Sequence, residues 1–190
     1  MSALSASPAN TAVAGAKAPV VESSPAQYLT FLLGGEMFAV GILNIKEIIE
    51  YGAVTEIPMV PPFIRGVINL RGAVVPVIDL ASRFGGKRSE ISRRTCIVII
   101  ELTENDERQD IGVVVDAVSE VLEIPASEIE PPPSFGARIR ADFIQGMGKV
   151  NGKFVILLEV DKVLSVDEIA TLSRMANDGA DTAGGGASAA

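Results

Sequence analysis

Residues 63–80 read FIRGVINLRGAVVPVIDL, and residues 143–160 read FIQGMGKVNGKFVILLEV. These stretches lie 80 residues apart and share the opening Phe-Ile, two glycines and the apolar positions between them. A second match, between residues 40–50 and 113–123, runs at an offset of 73. One insertion between the matching blocks reconciles the two offsets. The chain therefore contains two diverged copies of one unit, which predicts two similar subdomains with a groove between them.

The centre of each quoted stretch predicts a tight β-hairpin. In the second copy the tip is Asn151 and Gly152, and Asn-Gly favours a two-residue turn because both central residues need positive φ. Arg71 and Gly72 occupy the same place in the first copy, between predicted strands at 66–70 and 73–78. The sequence therefore predicts a second tight tip at Arg71 and Gly72.

Further short strands are predicted by alternating or continuous apolar residues at 27–33, 37–42, 94–102 and 111–115. Residues 44–51 suit either a short helix or a bent strand, and the β-branched residues of the matching segment favour a strand. Few helices separate these strands. Short strands with turns every 8–12 residues are typical of small antiparallel barrels, here with about five strands in each unit.

The two ends of the chain contain few large apolar residues. Segments 1–25 and 178–190 consist largely of Ala, Ser, Gly, Pro and small polar residues, so we expect disordered tails. Between them we expect a first β-barrel subdomain at 26–92 and a second at 93–177. The second would end in a helix that begins at a capping box, Ser165 with Glu168, and continues to about residue 176.

Composition excludes several classes of function. The chain has no histidine and one cysteine, so it cannot build a His-based triad, a phosphohistidine, a His metal site or an intramolecular disulfide. The formal net charge of −8 opposes nucleic-acid binding. No signal peptide or membrane-spanning run is evident, so we expect a cytoplasmic protein. Asp79, Asp116 and Asp161 are interpreted as caps and solubilising groups, and no catalytic residue, metal site or cofactor is predicted.

Arg71 is the position where the two hairpin tips differ most in chemistry, because a long cation replaces the better turn residue Asn. One interpretation is a surface residue that tolerates the turn. The other is a contact residue, since arginine binds carboxylates bidentately and is favoured at interfaces. Glu47 is the candidate carboxylate within the chain.

Four apolar residues occupy equivalent places in the two copies, beside Glu47 and Glu120. We call them the apolar set: Ile45, Ile48, Val118 and Val121. They suit either ordinary core or an apolar strip with a charged rim along the groove between subdomains. The second arrangement is the anatomy of a protein–protein interface.

The motifs NLRG, PVIDL, VVDAVSEVL and FIQGMG resemble those of the chemotaxis coupling protein (CheW) family over about residues 27–174. The resemblance implies a mainly β fold of two SH3-like five-stranded antiparallel barrels related by a pseudo-two-fold, with a short C-terminal helix. It also implies a non-enzymatic, cytoplasmic adaptor. Its partners would be the cytoplasmic tips of methyl-accepting chemoreceptors and the regulatory domain of a chemotaxis histidine kinase, which recruit it to membrane receptor arrays.

The resemblance also assigns residues to surfaces. Those that line or support the receptor groove are Ile45, Gly66, Cys96, Gly112, Val118 and Val121. Those of the coupling surface, toward the kinase or the receptor, are Glu47, Asn69 and Arg71, to which we add the neighbouring Ile48 and the turn residue Gly72. Cys96 departs from the usual aliphatic residue of the family. Alternatives left open by the sequence are an enzyme, a nucleic-acid-binding barrel and a coupling protein of a non-flagellar chemosensory system.

Overall fold

Short strands joined by tight turns make up most of the structure, a computed structural model that describes residues 25–104, 106–133 and 139–165. The strands are β1 Ala26–Leu33, β2 Glu36–Gly41, β3 Ile45–Glu50, β4 Ile64–Leu70, β5 Ala73–Asp79, β6 Cys96–Glu104, β7 Glu107–Val115, β8 Ala117–Ile124, β9 Ile129–Glu130, β10 Ile144–Val150 and β11 Lys153–Leu158. Two short helices, α1 Leu80–Arg83 and α2 Val160–Val163, follow β5 and β11. The predicted mainly β class is confirmed.

The ambiguous segment at 44–51 is the strand that the sequence favoured, with a register shift between Ile45 and Glu47. A 3₁₀ turn, Ile42–Asn44, leads directly into β3. The helix predicted to begin at Ser165 lies outside the described residues apart from Ser165 itself. The predicted tail at 1–25 lies outside them apart from residue 25, and the tail at 178–190 lies wholly outside. None of the helices in the described ranges is long and apolar enough to cross a membrane.

The strands form two mixed sheets. The six-stranded sheet has the order β8-β1-β2-β11-β10-β9, and the five-stranded sheet has the order β3-β6-β7-β5-β4. Each sheet contains one parallel pair, β2 with β11 and β5 with β7, among antiparallel neighbours. The orders correspond strand for strand, and the sixth strand is the two-residue β9 at one edge. The duplication seen in the sequence is therefore also a duplication of topology.

The two sheets do not follow the predicted division between residues 92 and 93. Strands β3 to β7 form the five-stranded sheet, whereas β1 and β2 pair with strands from the end of the chain. Each sequence copy thus gives its first hairpin, β1–β2 or β6–β7, to the sheet of the other copy. A repeat in sequence does not reveal whether strands pair within a copy or between copies, since both arrangements bury the same alternating residues.

Apolar side chains fill three regions. On β6, Val98 and Ile100 face a central cluster between the sheets, while Ile97 and Ile99 face a second cluster inside the five-stranded sheet. A third cluster, which includes Tyr28 and Leu157, fills the six-stranded sheet. Because successive side chains of a strand point to opposite faces, a continuous apolar run such as CIVII contributes to two clusters at once.

Gly66 lies at a register shift that occurs in both copies. The β4–β5 pairing shifts between Ile64 and Gly66, and the β10–β11 pairing shifts at the equivalent place. Gly66 has φ of 142°, and a Cβ built there would lie 2.0 Å from the backbone oxygen of Thr55. Thr55 pairs with Val67 through backbone hydrogen bonds in both directions, of 2.8 and 2.9 Å. The glycine therefore permits the connection after β3 to pack directly on β4.

Candidate interaction site

The two hairpin tips have nearly the same backbone conformation. Arg71 and Gly72 have φ of 53° and 89°, and Asn151 and Gly152 have φ of 50° and 76°. Positive φ at both central residues is the signature of the turn that matches the twist of a β-hairpin. The predicted tip at Arg71 is confirmed, although a non-glycine residue other than Asn or Asp seldom adopts this conformation.

Glu47 holds Arg71 by two hydrogen bonds. Arg71 Nη1 donates to Oε1 of Glu47 over 2.8 Å, and Nη2 donates to Oε2 over 2.9 Å. This contact joins β3 to the β4–β5 hairpin, the two outermost elements of the five-stranded sheet, so the sheet curls until its edges approach. The Arg71 side chain remains 74% exposed. An exposed pair contributes only about 0–1 kcal/mol to stability, so its main effect is to orient the guanidinium.

Asn69 supports the tip. Its side-chain oxygen accepts a hydrogen bond of 2.9 Å from the backbone N–H of Gly72. A side-chain acceptor of this kind fixes a turn by satisfying a backbone donor that the turn leaves open. Asn69 and Gly72 therefore set the conformation of Arg71.

The apolar set divides into two equivalent pairs on the outer strands β3 and β8. Ile45 and Val118 are half-buried against the central cluster. Ile48 and Val121 are 43% and 47% exposed, and their cross-strand partners belong to the same cluster. Paired residues share a face, so all four lie on the face of their sheet that borders the central cluster. Two of them support that face, and two present apolar surface to solvent.

Glu47 points to the other face of β3 from Ile48. Its cross-strand partner, Ile99, belongs to the cluster inside the five-stranded sheet. The Arg71–Glu47 pair and the exposed apolar residues therefore lie on different faces of one strand. A protein that uses both faces can contact two partners at the same time.

Gly66 and Gly112 are buried, and Cys96 is half-buried. Gly66 contacts the Thr55 backbone, as described above. A Cβ at Gly112 would lie 2.8 Å from Cγ2 of Ile97, so only glycine fits there without a shift of that side chain. Cys96 is half-buried against the central cluster, and its Sγ lies 3.4 Å from the Arg94 carbonyl oxygen.

Asp79 has a structural role that the sequence did not indicate. Its buried carboxylate accepts hydrogen bonds from Nε of Arg65 over 2.9 Å and from the backbone N–H groups of Ser82 and Ser89 over 3.1 and 3.0 Å. Arg65 Nη2 lies 2.7 Å from the same carboxylate and also donates to the Ser89 carbonyl oxygen. The cap interpretation is confirmed by the bond to Ser82. The solubilising role is wrong for Asp79, because the residue is fully buried.

Comparison with known proteins gives consistent matches over the ordered strands. A family model described as the CheW-like domain matches residues 27–168. A chemotaxis protein CheW from Klebsiella aerogenes is 35% identical over 150 residues, which are 79% of this chain and 88% of that protein. Protein FrzA from Myxococcus xanthus is 30% identical over 78% of this chain and 91% of its own length.

A solved structure supports the same comparison. The crystal structure of the scaffolding protein TtCheW from Thermoanaerobacter tengcongensis is similar with a TM-score of 0.68 and 34% identity. The match covers 80% of this chain and 96% of that one. Identity at this level over nearly the whole relative indicates common ancestry as well as a common fold.

Proposed function

Because this chain belongs to the CheW-like family, whose members are scaffold proteins and not enzymes, we propose that it couples chemoreceptors to a chemotaxis histidine kinase. It would act in the cytoplasm, at membrane receptor arrays to which its partners recruit it. The names of its relatives support a role in chemotaxis, and the scaffolding title of the similar structure supports an adaptor. The observation that carries the proposal is an arginine presented at a hairpin tip on one face and exposed apolar residues on another.

The apolar set is the proposed receptor surface. Ile48 and Val121 offer exposed aliphatic side chains, and Ile45 and Val118 support them from below. Chemoreceptor tips are helical hairpins, and an amphipathic helix binds by placing its apolar face against exposed apolar residues of this kind. Gly66, Cys96 and Gly112 would influence this surface indirectly, by setting how closely the strands behind it pack.

The Arg71 tip is the proposed coupling surface, directed to the kinase regulatory domain. Glu47 and Asn69 hold the guanidinium in one orientation before any partner arrives. A preorganised side chain loses less conformational entropy on binding, so it can contribute more to affinity than a mobile one. Signal transfer would then be conformational, through the differential affinity of the two partners for states of the complex.

The coupling surface is tested by kinase activation in a mixture of receptor fragment, kinase and this protein. Arg71→Ala should lower activation about fivefold to thirtyfold, the loss expected when an interfacial contact of about 1–2 kcal/mol is removed. The swapped double variant Arg71→Glu with Glu47→Arg keeps an internal ion pair but reverses the charges, and it should remain inactive. Arg93→Ala removes an exposed arginine elsewhere and should leave activation unchanged. Normal activation by Arg71→Ala would contradict the assignment.

The receptor surface is tested by direct binding of a receptor cytoplasmic fragment. Val121→Lys and Ile48→Lys place a charge on exposed positions, so both variants should fold and bind the fragment about tenfold or more weakly. Ile91→Lys is the matched control, because Ile91 is as exposed as Val121 at 47%. If the Val121→Lys and Ile91→Lys variants bind the receptor fragment with equal affinity, β8 is not part of the receptor surface.

A further inference from the structure

Glu120 and Asn151 are the structural counterparts of Glu47 and Arg71. Glu47 follows an irregularity in β3, opposite Ile99. Glu120 lies at the corresponding irregularity in β8, and the Thr30 hydroxyl donates to its carbonyl oxygen over 2.7 Å. The tip at Asn151 repeats the backbone of the tip at Arg71, as shown above. The six-stranded sheet thus repeats the frame of the coupling pair without its cation.

An open cleft of about 600 Å³ lies at this end of the six-stranded sheet. Glu120 and Asn151 both line it, as expected for the counterparts of Glu47 and Arg71. In the described part of the chain, no side chain hydrogen-bonds or ion-pairs with the Glu120 carboxylate. An asparagine is several bonds shorter than an arginine. The second copy therefore keeps a carboxylate acceptor at Glu120, but its hairpin tip has Asn151 in place of the guanidinium donor of Arg71.

The walls of the cleft are apolar and include an aromatic ring. Met37 and Leu122 form its floor together with the interior cluster of the six-stranded sheet. Phe154 stands at the rim with 53% of its surface exposed. A phenylalanine and a carboxylate that line the same cleft suit a guanidinium, which stacks on aromatic faces and binds carboxylates bidentately. Glu36 adds a second carboxylate at the rim, and Lys153 adds one cation.

We propose that this cleft binds an arginine side chain, flanked by apolar residues, from a partner protein. Arginine is the expected occupant because, in the first copy, Glu47 at the equivalent position binds the Arg71 guanidinium by two hydrogen bonds. The cleft is separate from the two surfaces of the proposed function. Glu120 and Leu122 point into the six-stranded sheet, whereas Val118 and Val121 of the same strand point to the central cluster. The protein would therefore have a third docking surface, for a basic and apolar segment.

The probe for this test is the peptide acetyl-Gly-Leu-Arg-Leu-Gly-amide, titrated into the full ¹⁵N-labelled chain. We expect amide shifts confined to residues that line the cleft, among them Leu122, Asn151 and Phe154. The same peptide with citrulline, which keeps the shape of arginine without its charge, should bind about tenfold more weakly, since a charge-assisted bond is about twice as strong as a neutral one. The absence of localised shifts, or equal binding of the two peptides, would overturn the proposal.

Two variants test the cleft from opposite sides. Asn151→Arg supplies the missing cation within the chain, and Arg71 shows that arginine tolerates this backbone conformation. It should pair with Glu120 and abolish peptide binding. Glu120→Gln removes the negative charge of the acceptor and should weaken binding about tenfold, whereas Glu123→Gln removes the same charge from the same strand outside the cleft and should not. Unchanged peptide binding by the Asn151→Arg variant would overturn the proposal. It would also be overturned if the protein self-associates and Asn151→Arg prevents this, because the occupant of the cleft would then be a second copy of the chain.

Discussion

Arg83 donates a hydrogen bond of 3.0 Å from Nε to the carbonyl oxygen of Val163, the residue that occupies its own place in the second copy. Its guanidinium lies 5.0 and 4.9 Å from the ring centroids of Phe63 and Phe143, which are also equivalent residues. A single cation thus contacts corresponding groups of both copies at the point where they meet. The second copy has the apolar Val163 at this position and contributes its backbone carbonyl to the contact.

Replacing Arg83 should weaken the connection between the two halves. Arg83→Met removes the hydrogen bond and both ring contacts while keeping most of the apolar volume, and we expect a loss of about 2–3 kcal/mol in the free energy of unfolding. Urea unfolding followed by circular dichroism measures it. Arg93→Met changes an exposed arginine and should shift stability by less than about 0.5 kcal/mol. Equal losses in the free energy of unfolding for Arg83→Met and Arg93→Met would show that the Arg83 contacts do not stabilise the fold.

Removing the charge of Asp79 should be more damaging. Asp79→Asn leaves Arg65 without its carboxylate in a largely buried setting, and breaking one side of such a pair costs about 3–5 kcal/mol. Thermal unfolding should show a large decrease in Tm. Asp161→Asn, an exposed carboxylate on α2, is the matched control and should change Tm little. A stable Asp79→Asn protein would indicate that the hydrogen bonds tolerate a neutral acceptor.

The glycines of one hairpin should differ in their tolerance of alanine. Gly66→Ala places a methyl group 2.0 Å from the Thr55 backbone, so the β3–β4 connection must move and we expect a loss above about 3 kcal/mol. Gly72→Ala meets no atom within 4 Å and incurs only the cost of positive φ, about 1–2 kcal/mol. Chemical denaturation of both variants measures the difference. The reverse order would contradict the close approach at Thr55.

A pH-dependent effect is expected at Asp142. The hydrogen bond from Arg140 lowers the pKa of this carboxyl group below the ordinary aspartate value, and Lys162 adds to the effect. A folded-state pKa that is lowered contributes stability above the unfolded pKa, and the contribution is lost as pH falls through the folded pKa. A carboxyl NMR titration should find Asp142 below ordinary aspartate, and Arg140→Gln should raise it. An unchanged midpoint in that variant would exclude Arg140 as the cause.

Local features of the fold could be predicted because they depend on residues near each other in the chain. The tips at Arg71 and Asn151 follow from turn chemistry, and the strands follow from alternating apolar residues. Even the Arg71–Glu47 pair could be expected as a candidate, because the repeat identified Arg71 as the position where the copies differ. The buried setting of Asp79 could not, since it depends on how the chain after β5 returns to place the Ser89 backbone N–H against the carboxylate.

The sequence by itself determined that this protein is a duplicated, mainly β chain with two tight hairpin tips and a resemblance to one family. Only the tertiary structure decided that each copy lends its first hairpin to the other, that Arg83 meets both copies, and that Glu120 faces an open cleft. The physical reason is that turn and strand propensities act within a few residues. Pairing between distant strands depends instead on which curled sheets close and pack together, and many registers bury the same apolar residues equally well.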